Sequence, residues 1–188
     1  MARRSGGRPS EAGLMRRRTL PVERPEVTIG PMHRRHLPAV MRIEHGAHPR
    51  PWTVGIFNSE LAQGDARYYA VLRTDGKIVG YGGIMFVADE AHVTKIAIAP
   101  SLRRQGLGSR LLAHLAREGS RRHCVAMTLE VRMGNMAAQQ MYRNFGFVSS
   151  GIRRNYYPET GEDALIMWLY DLLSPEVQGR LDELEKSR

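Results

Sequence analysis

One cysteine, Cys124, stands in 188 residues, so no internal disulfide can staple the chain, and a lone thiol without a second sulfur nearby is poor metal chemistry. That usage points to a reducing, cytoplasmic setting. Long apolar runs are missing as well. Ala164 to Leu173 is interrupted by Trp168, Tyr170 and Asp171, and no stretch approaches the roughly 20 apolar residues of a membrane-spanning helix. With 19 Gly and 10 Pro the chain is neither collagen-like nor of low complexity. What is present is an ordinary globular composition, 42% hydrophobic and 25% charged, at a length that suits one domain with room for a tail.

Acidic residues are the scarcer charge. Against 28 Lys and Arg there are 19 Asp and Glu, a net of +9 with arginine supplying nearly all the cations, which favours anionic partners. Met1 to Glu26 carries seven arginines and three glutamates, a net of +4. Its Gly6, Gly7, Pro9, Pro21 and Pro25 and its lack of apolar periodicity read as a disordered extension, without the apolar centre of a signal peptide. Two roles stay open for residues 1–26: a solvated extension, or an anchor on RNA or the ribosome surface through phosphate contacts.

Residues 27–173 read as a single folded unit, and 174–188 as a short amphipathic helix or a tail. Val27 to Gly30 suggests a strand, Pro31 to Glu44 and Thr53 to Gln63 two helices, and Tyr68 to Leu72 with Ile78 to Val87 a hairpin closed by the turn signal Asp75-Gly76. His92 to Ala99 adds a strand. Leu107, Leu111, Leu112 and Leu115 stripe a helix over Gln105 to Ser120, followed by a strand at Val125 to Val131 and a helix from Asn135 to Phe145 that Gly146 can cap. Phe147 to Ile152 and Ala164 to Leu172 are the last strands, with Tyr156 to Gly161 as a loop between them. The order βααβββαβαββ predicts an α/β fold, a mixed twisted sheet flanked by helices.

Arg103-Arg104-Gln105-Gly106-Leu107-Gly108 lies directly after a strand and before a helix. The first backbone N–H groups of a helix lack partners within it, and glycines let a large anion approach them, so such a junction can hold a pyrophosphate. A plain tight turn is the competing reading. No Gly-Lys-Ser/Thr follows, which excludes a Walker A loop, and the third glycine of a dinucleotide fingerprint is missing. Downstream, alternation turns Glu130 away from its apolar neighbours Leu129 and Val131, either as a chemically active carboxylate or as a surface group paired with an arginine. His33, His36, His45 and His48 have no carboxylate in a ligand pattern, so no metal is expected. Cys124 reads as core packing.

Taken together, Ile96-Ala97-Ile98, the Arg103 to Gly108 junction, Leu129-Glu130-Val131-Arg132, Asn135, Tyr142 and Arg153-Arg154-Asn155-Tyr156-Tyr157-Pro158 resemble the GNAT superfamily of N-acetyltransferases, and within it the RimI type that acts on ribosomal-protein alanines. The resemblance runs from Val27 to Leu172. It implies acetyl-CoA as co-substrate, with the backbone of Ile96, Ala97 and Ile98 along the pantetheine arm. Arg103, Arg104, Gln105, Gly106, Leu107, Gly108 and Ser109 would lie around the pyrophosphate, and Asn135 against the cofactor. Ser109 replaces a residue that is often basic in these enzymes. Glu130 would be the general base, Tyr142 the general acid, and Trp52, Tyr156 and Tyr157 the peptide contacts. The implied acceptor is a protein N-terminus, the alanine start of the eighteenth small-subunit ribosomal protein.

That chemistry suits the residue types. An α-amine with a pKa near 7.7 to 8.0 is roughly 10 to 15% neutral at pH 7, whereas a lysine near 10.4 costs roughly 3.4 kcal/mol more to deprotonate. A carboxylate can therefore suffice as base, with backbone N–H groups near Ile96 to Ile98 facing the developing oxyanion. Two other readings remain open at this level: an acetyltransferase for a small amine, and a non-catalytic RNA- or ribosome-binding module. Glu130 and Tyr142 argue against the second, and the Arg153 to Pro158 segment against the first.

Overall fold

The structure, a computed structural model, describes residues 25–186, with side chains described as far as Leu184. The arginine-rich segment expected to be an extension or an RNA anchor therefore lies, up to residue 24, outside the described residues. Glu26 is already tied to the fold, since its N–H donates to Asp75 Oδ1 at 3.1 Å. The elements are β1 (Val27–Pro31), α1 (Leu37–Ala47), α2 (Val54–Leu61), β2 (Arg67–Thr74), β3 (Lys77–Val87), β4 (Glu90–Ile98), α3 (Leu107–Arg121), β5 (Ala126–Arg132), α4 (Met136–Phe145), β6 (Val148–Tyr157), β7 (Glu162–Leu169) and α5 (Pro175–Lys186). This is the expected order followed by a C-terminal helix.

Local chemistry sets most boundaries. Asp75 and Gly76, with φ of 48° and 75°, supply the two left-handed residues of a tight hairpin turn between β2 and β3. Thr53 caps α2 by accepting from Ile56 N at 3.2 Å, Asn135 caps α4 by accepting from Ala138 N at 3.2 Å, and Gly146 closes α4 at φ 97°. Two expectations are corrected. The first helix starts at Leu37 and not at Pro31, because Pro31 ends β1 opposite Ala70 and the Met32 N–H donates to Tyr69 O at 2.8 Å; only a 3-10 turn at Arg34–His36 precedes the helix. Tyr156 and Tyr157, expected in a loop, are the last residues of β6, which runs five residues beyond Ile152.

The sheet has the order β1-β2-β3-β4-β5-β7-β6, and β4–β5 is its one parallel pairing among the described strands. Leu111, Leu112 and Leu115 of α3, Phe145 of α4 and Leu181 of α5 pack on one face with Met127, Leu129 and Val131 of β5. Leu37 and Val40 of α1 and Phe57 of α2 pack on the other, against Tyr69, Val71 and Tyr81. Each fully buried large apolar side chain stabilises by roughly 1.5–3 kcal/mol, so the two layers fix the sheet between them. Close approach matters at Gly83, where an added Cβ would lie 2.1 Å from the Tyr69 ring. Cys124 is buried, and burial pushes its thiol up, consistent with packing.

Candidate active site

The middle of the sheet is open. β4 and β5 pair only over Glu90–Val93 with Ala126–Leu129, and beyond Val93 the two strands have no ladder between them. The cause is visible in the register: Gly83 faces Lys95 while Ile84 faces Val93, so Thr94 is an extra residue on β4. Such a bulge bends and twists its strand, and the parallel neighbour is left behind. The gap is lined on one side by the C-terminal half of β4 and on the other by Glu130–Arg132.

Which backbone groups reach the gap follows from strand alternation. Ala99 N donates to Val79 O at 2.8 Å, so in an antiparallel ladder Ala97, two residues earlier, also turns its N–H and C=O toward β3. Ile96 and Ile98 then aim theirs at the gap, and Ile98 O accepts from Arg103 Nε at 3.3 Å. Of the three residues assigned to the pantetheine arm, Ile96 and Ile98 present polar backbone there, while Ala97 is committed to its neighbour strand.

At the C-terminal end of the gap stands the start of α3. Gly106 is its N-cap at φ 75° with no side-chain cap, and Arg104 is left-handed at φ 64°. The first helical hydrogen bond here is Arg110 N to Gly106 O at 3.1 Å, so the N–H groups of Leu107, Gly108 and Ser109 have no helical acceptor. Arg103, Arg104, Gln105 and Gly106 are exposed around them. A Cβ on Gly106 would meet no heavy atom within 4 Å: the space in front of the turn is open to a ligand. The Gly108 position is tighter, 3.2 Å from Met141 Sδ, which brings α4 close to the same turn. These groups fit a pyrophosphate. Gly106→Val is expected to weaken acetyl-CoA binding at least tenfold, by blocking the anion and straining a left-handed position, with the fold retained; calorimetry with CoA and circular dichroism check it, and unchanged affinity in a folded variant would contradict the phosphate role.

Of the two proposed chemical groups, Glu130 borders the gap and Tyr142 is buried in the core beneath β5. Glu130 is half-buried on β5, and its Oε1 lies 3.2 Å from Arg153 Nη2 of β6. The carboxylate thus does pair with an arginine, one that belongs to the segment expected to meet the peptide. Tyr142 projects from α4 into the α3 side of the core with Leu129 and Val131, so alternation along β5 puts it on the sheet face opposite Glu130. Burial raises its hydroxyl well above the ordinary value of 10, which keeps it protonated at every working pH. Tyr157 lies beside Glu130: its hydroxyl donates to the backbone Glu130 O at 3.4 Å, and burial, partly opposed by Arg132, pushes it up to about 12. Tyr156 is exposed beside Arg153, whose Cζ is 5.6 Å from the ring centroid. Asn135 is exposed at the head of α4, its Oδ1 engaged in capping.

Trp52 brings in residues that the sequence reading missed. Its backbone N–H donates to Glu44 Oε1 at 2.7 Å, and Lys95 Nζ sits 4.8 Å from the centre of its indole ring. Glu44, at the end of α1, is fully buried and also accepts from Lys95 Nζ and Tyr81 OH. Burial pushes Glu44 up, but hydrogen bonds from Lys95, Tyr81 and Trp52 outweigh it and hold the carboxyl below its ordinary value. His48 Nε2 lies 3.5 Å from Glu44 Oε2, and burial, with Lys95 nearby, holds His48 below its ordinary value and so neutral. The signal was present, since Glu44 continues the apolar spacing Leu37, Val40 of its helix: a carboxylate on a core-facing stripe must find partners inside. Arg132 was likewise noted only as part of a motif. The four histidines hold no metal-like set, and among the described residues no group of three or more His, Cys, Asp or Glu could bind one. No described helix is long and apolar enough to cross a membrane.

Known proteins resemble this chain in sequence and fold. The family model described as acetyltransferase (GNAT) family matches residues 37–147. The chain is 42% identical over 144 residues to the ribosomal protein bS18-alanine N-acetyltransferase of Escherichia coli (strain K12), covering 76% of this chain and 96% of that one. It is 39% identical over 124 residues to the N-alpha-acetyltransferase RimI of Mycobacterium tuberculosis, 62% of this chain and 74% of that one. Among solved structures, the ribosomal-protein-S18-alanine N-acetyltransferase from Escherichia coli superposes with a TM-score of 0.73 at 40% identity, over 80% of this chain and 97% of that one.

Proposed function

Because this chain belongs to the acetyltransferase (GNAT) family, we propose that it moves an acetyl group from acetyl-CoA to the α-amino group of a protein N-terminus in the cytoplasm, with the alanine start of the eighteenth small-subunit ribosomal protein as acceptor. The observation that supports the reading most is the gap between β4 and β5, with the Glu130 carboxylate on one face of β5, the buried Tyr142 phenol packed on the other, and beyond it a helix start whose free N–H groups suit an anion. The relatives' substrate supports the acceptor class.

In this reading the first turn of α3 and Gly106 hold the pyrophosphate of acetyl-CoA, which supplies the activated acyl group. The N–H groups of Ile96 and Ile98 at the open edge of β4 hold the arm in the gap and face the charge that develops on the acyl oxygen. Glu130 accepts the proton of the incoming α-ammonium, directly or through a water, and Arg153 gives way or shares the carboxylate as that cation arrives. Tyr142, reached from the other face through the gap, donates its proton to the departing sulfur. Tyr142→Phe should lower kcat by about 10²-fold while acetyl-CoA affinity stays within about twofold; equal losses in both would make Tyr142 a packing or binding residue.

In this reading Trp52, Tyr156 and Tyr157 contact the peptide; Tyr157 donates to Glu130 O, and Tyr156 is exposed beside Arg153, which pairs with the Glu130 carboxylate. Incubating the protein with acetyl-CoA and peptides that differ only in their first residues tests the reading. Preferred turnover of an alanine start supports it, and turnover of small amines with none of peptides would overturn it.

A further inference from the structure

The β6–β7 turn follows directly on the two tyrosines that the proposed function puts against the peptide, and one side chain from outside the turn is bonded to it several times over. Arg132, two residues after Glu130 on β5 and on the same face, donates through Nη1 to Thr160 Oγ1 at 2.8 Å and to Glu162 Oε2 at 3.1 Å. Its Nη2 donates to Glu159 Oε1, and its Cζ lies 3.8 Å from the centre of the Tyr157 ring. The other oxygen of Glu162 accepts from Gly134 N at 2.7 Å, which joins the turn before α4 to the same hub. Backbone groups brace the turn as well, Asn155 N donating to Asp163 Oδ1 at 2.8 Å and Thr160 N to Tyr157 O at 3.1 Å, but between Arg153 and Tyr157 the β6–β7 ladder is irregular and Asn155 is left-handed at φ 50°.

We propose that Arg132 is a positioning residue for the peptide substrate: its guanidinium locks the β6–β7 turn so that Tyr156 and Tyr157 form a preset wall beside Glu130. Geometry makes the residue type specific. Two carboxylates, a hydroxyl and an aromatic face are met at once by a planar fork with several donors, which the single ammonium of lysine cannot reproduce. Glu159 and Glu162 suit the arrangement, since backbone N–H groups and Arg132 hold both carboxyls below their ordinary values. Arg132 itself need not touch the reacting atoms. Its effect should fall on peptide capture, because a loop that must be ordered at binding weakens affinity while leaving the chemical step intact once the peptide is seated.

The inference rests on the peptide reading above, and the experiment separates the two. Full-length wild type, Arg132→Lys and Glu159→Gln are assayed with an alanine-starting peptide and acetyl-CoA, together with amide hydrogen exchange over residues 155–163. The expected result is a peptide KM raised about tenfold in Arg132→Lys and less in Glu159→Gln, faster exchange in that segment, and kcat and acetyl-CoA affinity within about twofold. Wild type that acetylates no peptide removes the functional reading, and the substrate role of Arg132 with it. Active wild type alongside variants with unchanged KM overturns the proposal alone, whether or not exchange accelerates. A fall in kcat at constant KM would likewise overturn it, by placing Arg132 in the chemical step. Should Arg132→Lys fold poorly, Glu159→Gln at the turn itself carries the same test.

Discussion

Glu130→Gln is expected to lower kcat/KM at pH 7 by about 10²–10³-fold, within the usual contribution of a positioned base. The amide matches the carboxylate in shape and can still accept from Arg153, so packing and the ion-pair geometry at 3.2 Å are preserved in outline while the proton acceptor is lost. The size of the defect should depend on pH. At pH 7 most α-amines carry a proton that the substituted amide cannot take, whereas above about pH 8 most arrive neutral. The gap between variant and wild type should therefore narrow from pH 6 to 9.5. A constant gap across that range would make Glu130 an orienting group, and no gap would remove it from the mechanism.

Glu44→Ala is expected to cost about 3–5 kcal/mol of folding stability, the usual result of removing one partner of a buried ion pair. Lys95 is then left 11% exposed with its carboxylate gone, and Tyr81 and the Trp52 N–H lose their acceptor together. Urea denaturation measures the loss. Its pH dependence has a definite sign. The folded-state pKa of Glu44 lies below its ordinary 4.5, so the stability it contributes is present above 4.5 and disappears as pH falls through the depressed value. The difference between wild type and variant should shrink in that acid window. His48 is held below 6.5 mainly by burial although Glu44 opposes the shift, so the loss it adds as pH falls below 6.5, where the unfolded chain takes up its proton first, should be larger in the variant that lacks the carboxylate. Equal stabilities at pH 7 would show that the Glu44 cluster is dispensable.

The parts of the fold that were legible in the sequence are those in which one residue type satisfies one local demand. Asp75-Gly76 marks a turn because both positions need left-handed backbone, Gly146 ends α4 for the same reason, and the leucines of α3 mark its buried stripe. The Arg103 to Gly108 stretch was legible as a strand-to-helix junction because Gly106 suits the left-handed position that opens α3. The end of β6 was not, since it is an edge strand exposed on nearly every residue, and without one buried face the alternation that marks a strand disappears. Nor was the gap: the bulge at Thr94 is a matter of register with β3 and leaves no compositional trace. Glu44 lies on an apolar stripe that calls for partners, but its hydrogen-bond donors come from 8 to 51 residues away and the partners of Arg132 from 25 to 30, so no local pattern says which they are.

The central claim, acetyl transfer to a protein's α-amino group, is tested most directly by locating the acetyl group. A peptide with an alanine start and one internal lysine is incubated with the protein and acetyl-CoA, and tandem mass spectrometry assigns the added acetyl to one of the two nitrogens, the α-amine being the more acidic by about 2.5 pKa units. The account predicts a single acetyl on the α-nitrogen of the alanine, absent in Glu130→Gln at pH 7. Acetyl on the lysine side chain with an unmodified N-terminus would contradict it.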